Sequence, residues 1–363
     1  MLYSLGSTPG DPQYPREIGL VAEGKDGALY TTSQQGGAHG YGAVYKVTTD
    51  GKVAILHSLV GATEGSGPQS GLTLGSDGNF YGAAYAGARG DGSVFKITPD
   101  GTFTVLHAFL CGNDGGFPTS APVQGKDGNF YGITSYANSQ PYGVIYKITS
   151  GGVLTSLFVD SRTTAATVGA MGCSLIAGSD GNFYGTFLAG GKGFGSVFKM
   201  TPGGTVTALH IFSGTDGSKP YSVIQGSDGN LYGTASAGGT GNFGLVFKLT
   251  LVGTYTILHK FAITDGEYPV AGVIQASDGN LYGTTRAGAA GRGVIYKIGT
   301  DGSNFAIVHS LSAKVNEGAF PITPLVQYHD GSFYGVTYGG GTKGVGAFYH
   351  LVAGLKPPAS PAP

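Results

Sequence analysis

The sequence has no tryptophan, only two cysteines, and few charged residues, which make up 11% of its 363 positions. Two cysteines are too few for a disulfide-rich scaffold, and they lack the Cys-x-x-Cys spacing of metal and redox sites. The net charge of −1, without a basic stripe, argues against a nucleic-acid partner. No apolar run approaches the roughly 18 residues of a membrane span. These absences argue against a disulfide-rich scaffold, a nucleic-acid-binding protein and a protein with a membrane-spanning helix.

Glycine is the abundant residue, with 69 copies, well above the average share of about 7%. Such a content is typical of disorder only where aromatic and β-branched residues are scarce. Here 22 tyrosines and 19 phenylalanines are spread along the chain, and helical periodicity is absent. The composition therefore predicts an all-β protein with many turns.

A short motif, Asp-Gly-x-aromatic/Leu-Tyr, recurs seven times. Its copies begin at Asp26, Asp77, Asp127, Asp180, Asp228, Asp278 and Asp330. The copies follow one another at intervals of 48 to 53 residues, close to the length of a propeller blade and longer than most short solenoid repeats. We therefore expect one domain over residues 1–352, a seven-bladed β-propeller.

The fifth repeat shows the unit most clearly. It predicts strand A at 222–226, strand B at 231–235, strand C at 245–249 and strand D at 255–259, with turn signals between them. Four short strands of this kind form an antiparallel blade. The glycine of each Asp-Gly pair supplies the positive φ that a tight hairpin needs.

The two ends of the chain predict how the ring closes. The last repeat has strands A, B and C at 322–328, 333–338 and 345–352, but it lacks strand D. Residues 2–5, Leu-Tyr-Ser-Leu, resemble the strand D segment Leu-His-Ser-Leu at 56–59. We expect this N-terminal strand to complete the seventh blade, which would leave no open interface between the first and last blades. Residues 353–363 are rich in proline and predict a linker or tail.

Three polar positions recur in most repeats, and we interpret them as scaffold. On strand C a lysine is expected to face the Asp of a turn, in the manner of a weak surface ion pair. These lysines are Lys46, Lys96, Lys147, Lys199, Lys248 and Lys297, with His350 in the last repeat. On strand D a histidine alternates with Tyr3 and Phe158, so a packing role is expected. These histidines are His57, His107, His210, His259 and His309. On strand A, glutamines are expected to line the channel and could hold water there. They are Gln124, Gln225, Gln275 and Gln327.

Specificity in a repeat protein is expected where the repeats differ on one face. The D–A and B–C loops share a face, and the position four residues after the repeated tyrosine varies there. It reads Gln34, Tyr85, Ser135, Leu188, Ser236, Arg286 and Tyr338. Tyrosine rings beside arginine and carboxylate groups fit a sugar ligand, although a merely solvated rim is the alternative. The predicted ligand-binding residues are Gln34, His39, Tyr85, Arg89, Tyr136, Arg286 and Tyr338.

Whether this face is catalytic is left open by the sequence. In a lyase acting on uronate polymers, Arg286 would neutralise the carboxylate, and Tyr85 or Tyr338 would remove the α-proton. A glycoside hydrolase, the less favoured enzyme, would need two carboxylates, for which Glu17 and Glu267 are candidates. A spacer or protein-interaction platform is the third hypothesis. No cofactor and no metal site are predicted.

Two further features fall on the D–A loops of the middle repeats. Cys111 and Cys173 lie in consecutive loops of this kind, where a disulfide is geometrically feasible, and two buried thiols are the alternative. The loop at 159–172 is unusually long, contains Arg162, and could act as a lid or binding loop.

The repeated unit resembles a known family. The segments SDGN-[FL]-Y-G-T, V-F-K-[IL]-T and L-H-x-F are similar to the GloVer-type tandem repeat of "choice-of-anchor" bacterial proteins, over residues 2–352. The resemblance implies export and surface attachment through varied C-terminal anchors, and it implies no settled activity. No signal peptide is recognisable, because Met1 already lies inside a repeat. We expect a secreted or cell-surface monomer that binds polysaccharide or another surface ligand.

Overall fold

Seven antiparallel sheets surround a central channel, which confirms the predicted seven-bladed β-propeller. The structure, a computed structural model, describes residues 1–15, 21–87, 90–137, 142–160, 170–190, 192–288, 291–312 and 317–358. Each sheet is one blade, and its strands are named A to D from the channel outward. Strand A residues of several blades line the channel.

Strand B has five to eight residues: Leu29–Ser33, Phe80–Ala86, Phe130–Tyr136, Phe183–Ala189, Leu231–Ala237, Leu281–Thr285 and Phe333–Gly340. Strand C has five residues: Ala43–Val47, Ser93–Ile97, Val144–Ile148, Ser196–Met200, Leu245–Leu249, Val294–Ile298 and Ala347–Leu351. Strand D is Val53–Ser58, Phe103–Ala108, Leu154–Val159, Val206–Ile211, Tyr255–Lys260, Ala306–Ser310 and, in blade 7, Tyr3–Ser4.

Strand A is continuous in blades 4 and 5, at Ala170–Ala177 and Ser218–Gln225, and short in blades 1 and 6, at Ala22–Glu23 and Ile274–Gln275. In blades 2, 3 and 7 it has two segments: Ser66–Pro68 with Thr73–Leu74, Gly116–Pro118 with Val123–Gln124, and Gly318–Pro321 with Val326–Gln327. A 3-10 turn, Thr240–Asn242, lies in the B–C loop of blade 5. None of the described segments forms an apolar helix long enough to cross a membrane.

The repeated Asp-Gly motif forms the A–B turn as its chemistry predicts. In blade 5, Gly229 has a φ of 79°, a left-handed conformation that glycine adopts without steric cost. Asp228 Oδ1 accepts the Asn230 amide at 3.1 Å, and Asp228 Oδ2 accepts the Tyr232 hydroxyl at 2.7 Å. The motif therefore ties the turn to strand B.

The core lies between neighbouring blades. The motif tyrosine of one blade stacks on the motif aromatic residue of the next, as Tyr30 does on Phe80, at a ring distance of 4.1 Å, and Tyr81 on Phe130, at 3.7 Å. In both pairs the two rings are buried. Each blade therefore depends on its neighbours to cover its apolar surface, and the ring must close to cover all of it.

The N-terminal strand closes the ring as predicted. Tyr3 pairs with Phe348 and Ser4 with Ala347 in antiparallel register. Leu5 is fully buried in a cluster that contains Tyr334 and Phe348. The first strand thus serves as strand D of blade 7.

Residues 353–358 lie along blades 6 and 7, on the face that carries the A–B turns. The Lys356 carbonyl oxygen accepts hydrogen bonds from Ser277 Oγ at 2.6 Å and Gln327 Nε2 at 3.3 Å. Leu355 packs against a cluster that contains Tyr282 and Phe333. This part of the tail therefore contacts the propeller, and the domain boundary at residue 352 stays a prediction.

Candidate functional site

The D–A loops meet the ends of strand B on one face through a recurring backbone conformation. In six blades a proline lies shortly before strand A or within its first residues, and the residue that precedes this proline has a left-handed φ between 49° and 60°. Its amide donates a hydrogen bond to a carbonyl in the preceding blade's B–C loop, at 2.6 to 3.0 Å. These six residues are Tyr14, Gly67, Phe117, Lys219, Tyr268 and Phe320.

This backbone conformation is unusual for residues other than glycine. A left-handed non-glycine residue costs on the order of 1–2 kcal/mol, and a following proline ordinarily pushes its neighbour towards extended backbone. The hydrogen bond between blades recurs at Gly67 and Lys219 as well as at aromatic residues, so the backbone conformation belongs to the scaffold. The side chains differ from blade to blade, so they are the variable part of this face.

Two aromatic groups result from this arrangement. Phe117 lies between Tyr85 and Tyr136, with ring centroids 5.2 Å apart on each side. Across the closure of the ring, the Tyr14 and Tyr338 rings lie 5.5 Å apart. All five side chains are partly exposed. The structure thus brings together Tyr85 and Tyr136, two of the predicted residues, around a ring that the sequence analysis missed.

A cleft of about 420 Å³ opens beside the predicted Arg286. Its walls include Tyr268 and Phe320, the left-handed residues of blades 6 and 7. The Arg286 amide donates to the Tyr268 carbonyl at 3.0 Å, which fixes the two residues side by side. The sequence analysis did not predict Phe117 or Phe320 as site residues. Each of them precedes the recurrent proline, and this shared position could have identified them.

The remaining predicted residues are dispersed. The Gln34 amide donates to the Tyr14 carbonyl at 3.2 Å, and His39 is exposed in the B–C loop of blade 1. Glu267 pairs through its main chain with Ala287 and does not line the cleft. Arg89 and Glu17 lie outside the described residues. Because Glu17 is not among the described residues, the carboxylate pair of a hydrolase stays a prediction.

The D-strand histidines each bind an acidic side chain of the following D–A loop. His259 Nε2 lies 3.1 Å from Asp265 Oδ2, and the same carboxylate accepts the Ala262 amide. The full set is His57 with Glu64, His107 with Asp114, His210 with Asp216, His259 with Asp265, and His309 with Glu317. Tyr3 takes the same part, because its hydroxyl donates to Asp11 Oδ2 at 2.7 Å. The predicted packing role of these histidines was therefore incomplete, because they also connect strand D to the acidic side chains of the D–A loops.

The lysines of strand C face the turn aspartates, as predicted. Lys46, Lys199 and Lys248 lie 3.1 to 3.4 Å from the Asp of their own blade's A–B turn. Burial alone would raise the pKa of Asp180, but hydrogen bonds from Asn182, Tyr184 and Lys199 outweigh it and lower the pKa to about 2. These aspartates are therefore ionised turn anchors.

The glutamines of strand A join neighbouring blades. Gln225 Oε1 accepts the Ser179 amide of blade 4 at 2.8 Å, and Gln225 Nε2 donates to the Gly229 carbonyl at 3.0 Å. Gln124 and Gln275 make the same pair of bonds, so these glutamines join the turns of neighbouring blades. The suggestion that they also hold water in the channel stays a prediction. In the middle of the channel, a cavity of about 160 Å³ is mostly apolar.

Cys111 and Cys173 form no disulfide in the structure, so the suggested disulfide is corrected. Cys173 is buried in strand A of blade 4, whereas Cys111 is half-buried in a loop, where its sulfur lies against Gly116. The two side chains thus have separate surroundings, and only one thiol is buried. The suggested lid at 159–172, with Arg162, falls mainly outside the described residues.

Metal-ligating side chains do not cluster in the part of the chain that is described: no group of three or more His, Cys, Asp or Glu could hold an ion.

The sequence matches a family model described as the Gloeobacter/Verrucomicrobia repeat, at residues 1–174 and 170–354. No curated protein sequence matches the chain.

Solved structures share the fold at low sequence identity. The GH74 enzyme of Niastella koreensis has a TM-score of 0.60 and 15% identity, over 96% of this chain and 53% of that one. A protein named as the extracellular domain of a candidate one component system from B. thetaiotaomicron has a TM-score of 0.59 and 10% identity, over 96% and 40%. A puromycin hydrolase has a TM-score of 0.56 and 10% identity, over 92% and 52%. The chain spans about half or less of these proteins, and the likeness shows the propeller fold alone.

Proposed function

Because the chain belongs to the Gloeobacter/Verrucomicrobia repeat family, we propose that it is an extracytoplasmic propeller that binds polysaccharide or another cell-surface ligand. The observation that carries this proposal is the set of aromatic side chains on the D–A/B–C face. Four of the six left-handed positions hold an aromatic ring: Tyr14, Phe117, Tyr268 and Phe320.

Partly exposed rings suit sugars for a physical reason. A pyranose has an apolar face that packs on an aromatic ring, while its hydroxyl groups need polar partners at the edge. The group around Phe117 offers three rings within a short distance. Because their planes are inclined by 51° and 64° to Phe117, they form a contoured surface, which suits a polymer better than a flat apolar partner.

The proposed location outside the cytoplasm has two sources of support. The resemblance of the repeats implies export, and one structural neighbour is named as an extracellular domain. Fractionation of the native host, with immunodetection of the chain in surface and soluble fractions, tests the location directly. Detection only in the cytoplasmic fraction would refute it.

Binding is tested by affinity electrophoresis of the protein through gels that contain single polysaccharides. We expect retardation by at least one polymer, and a loss of about tenfold in affinity for Phe117→Ala and Tyr338→Ala, since covering one ring contributes on the order of 1.5 kcal/mol. Val252→Ala is the control, because Val252 is 89% exposed in a C–D turn on the opposite face. Equal retardation of all variants would place the site elsewhere.

The same samples separate binding from catalysis. Unsaturated products that absorb in the ultraviolet would indicate the lyase, with Arg286 and either Tyr338 or Tyr85 as candidate residues. New reducing ends without that absorbance would indicate a hydrolase and direct attention to Glu17 and Glu267. Retardation without either product supports binding alone, and no retardation and no product favours a spacer or interaction platform.

A further inference from the structure

The cavity of about 160 Å³ in the central channel is built by many blades at once. Described residues of blades 1 and 3 to 7 line it, and most of them carry aliphatic side chains. None of these described lining residues is charged. An apolar cavity of roughly 150 Å³ in a protein stays dry and binds benzene or xenon. The channel cavity therefore has the volume and the lining for a molecule of that size.

Four half-buried aliphatic side chains form one wall of the cavity. Each occupies the same register position on strand A, opposite the motif tyrosine of its own blade. These residues are Ile176, Ile224, Ile274 and Val326. Ala22, Thr73 and Val123 hold this register in the first three blades, and none of them lines the cavity. The wall thus belongs to blades 4 to 7, and branching at the β-carbon restricts the rotation of its side chains.

The serine hydroxyl groups of the lining offer water few hydrogen-bond partners. Ser120 and Ser222 both line the cavity, but their hydroxyl oxygens are buried away from the open volume. The hydroxyl group of Ser174 lies 3.2 Å from the hydroxyl group of Thr186, its hydrogen-bond partner. A water molecule inside a protein typically makes about three hydrogen bonds. An apolar molecule that displaces water from this cavity therefore breaks few favourable contacts.

The cavity adjoins the cleft on the D–A/B–C face. Val270 is buried and lines both spaces, and its amide donates to the Tyr268 carbonyl at 2.8 Å. This shared wall makes the cleft the expected entrance for a ligand of the channel.

From this geometry we propose that the channel cavity binds a small neutral apolar molecule, about the size of one aromatic ring. Burial of the ring against the aliphatic wall supplies the favourable free energy. A charged molecule of the same size is excluded, because it would lose its hydration without gaining a counter-charge. This site is separate from the proposed polysaccharide surface and does not depend on it.

Titration of fluorobenzene into the full chain, followed by fluorine NMR, tests the proposal. We expect saturable binding, with nuclear Overhauser contacts between the ring protons and the methyl groups of Ile224 and Val326. Val326→Thr replaces a methyl group with a hydroxyl group, which gives water a partner in the cavity, and should weaken binding about tenfold. Val308→Thr, on strand D of blade 6 and outside the cavity lining, should leave the affinity unchanged.

Benzylammonium, which carries a positive charge beside the same ring, is the matched probe for the neutral class and should not bind. Binding of benzylammonium as tight as that of fluorobenzene would overturn the assignment to a neutral molecule. The absence of saturable fluorobenzene binding, or binding without contacts to Ile224 and Val326, would overturn the site itself. These contacts are measured on the wild-type protein, so they test the site even if Val326→Thr does not fold.

Discussion

The hydroxyl group of Tyr296 on strand C reaches the backbone of Gly283, its partner on strand B. A β-carbon added at Gly283 would lie 2.4 Å from that oxygen, so no other residue fits there without displacement. The ring is fully buried, and its hydroxyl has no hydrogen-bond partner among the described residues. Burial raises the pKa of Tyr296, which remains protonated. Blades 2, 4 and 5 have phenylalanine at this position: Phe95, Phe198 and Phe247.

Tyr296→Phe is therefore expected to raise the free energy of unfolding by about 1 kcal/mol, because it removes a buried polar group that lacks a partner. Tyr282→Phe in the same blade is the matched control. Its hydroxyl donates to Asp278 Oδ2 at 3.0 Å, so its loss should lower the free energy of unfolding by about 1 kcal/mol. Urea unfolding curves measure both, and changes of the same sign in the two variants would contradict this account.

Gly244 lies where the B–C loop of blade 5 meets blade 6. A β-carbon there would lie 2.5 Å from Pro269 Cδ, and φ is 94°. Gly229 has a similar φ of 79° but nothing within 4 Å. Gly229→Ala should cost on the order of 1 kcal/mol from backbone strain alone, and Gly244→Ala about 1–3 kcal/mol more from the collision. Equal unfolding midpoints for the two variants in urea would show that the blades yield at this contact.

Ring closure depends on the buried side chain of Leu5. Leu5→Ala should lower the free energy of unfolding by about 2–5 kcal/mol, because it leaves a cavity between the N-terminal strand and blade 7. Leu110→Ala, at a side chain that is 60% exposed, should change it by less than about 0.5 kcal/mol. Thermal and urea unfolding measure both values. A cost at Leu5 as small as that at Leu110 would mean that the first strand does not hold the ring.

His210 and His259 on strand D predict a loss of stability in mild acid. Burial lowers the pKa of His210 and His259, although Asp216 and Asp265 favour the protonated form. The folded state thus prefers neutral imidazole. The stability this contributes is complete above the unfolded pKa of about 6.5 and is lost as the pH falls through the lower folded pKa.

Unfolding free energies at pH 8, 6.5 and 5 should therefore decrease in that order for the wild-type protein. The double variant His210→Tyr/His259→Tyr should show a smaller decrease, since a tyrosine at this position can donate to the loop acid, as Tyr3 does to Asp11. His39→Tyr changes an exposed histidine and should keep the wild-type slope. Identical slopes in all three proteins would exclude His210 and His259 as the cause.

The sequence predicted the blade count and the closure because both depend on local chemistry that repeats. Asp-Gly turns recur at Asp26 and at each later motif, and the missing strand D of the last repeat matched residues 2–5. The partners of the repeated polar residues were harder to predict, because they lie in other elements. Gln225 bonds the turn of the preceding blade, and His259 bonds a loop acid.

The residues of the candidate site divide in the same way. The variable position that holds Arg286 could be read from the alignment of the repeats, since the spacing from the motif tyrosine is constant. Its neighbours Tyr268 and Phe320 come from two different blades, and only packing of the blades sets them around one cleft. The sequence by itself determined a ring of seven units and the face on which they differ, because turn chemistry and strand periodicity act over a few residues. The tertiary structure decided which side chains meet on that face, because left-handed backbone and hydrogen bonds between blades orient them across distances that no local pattern records.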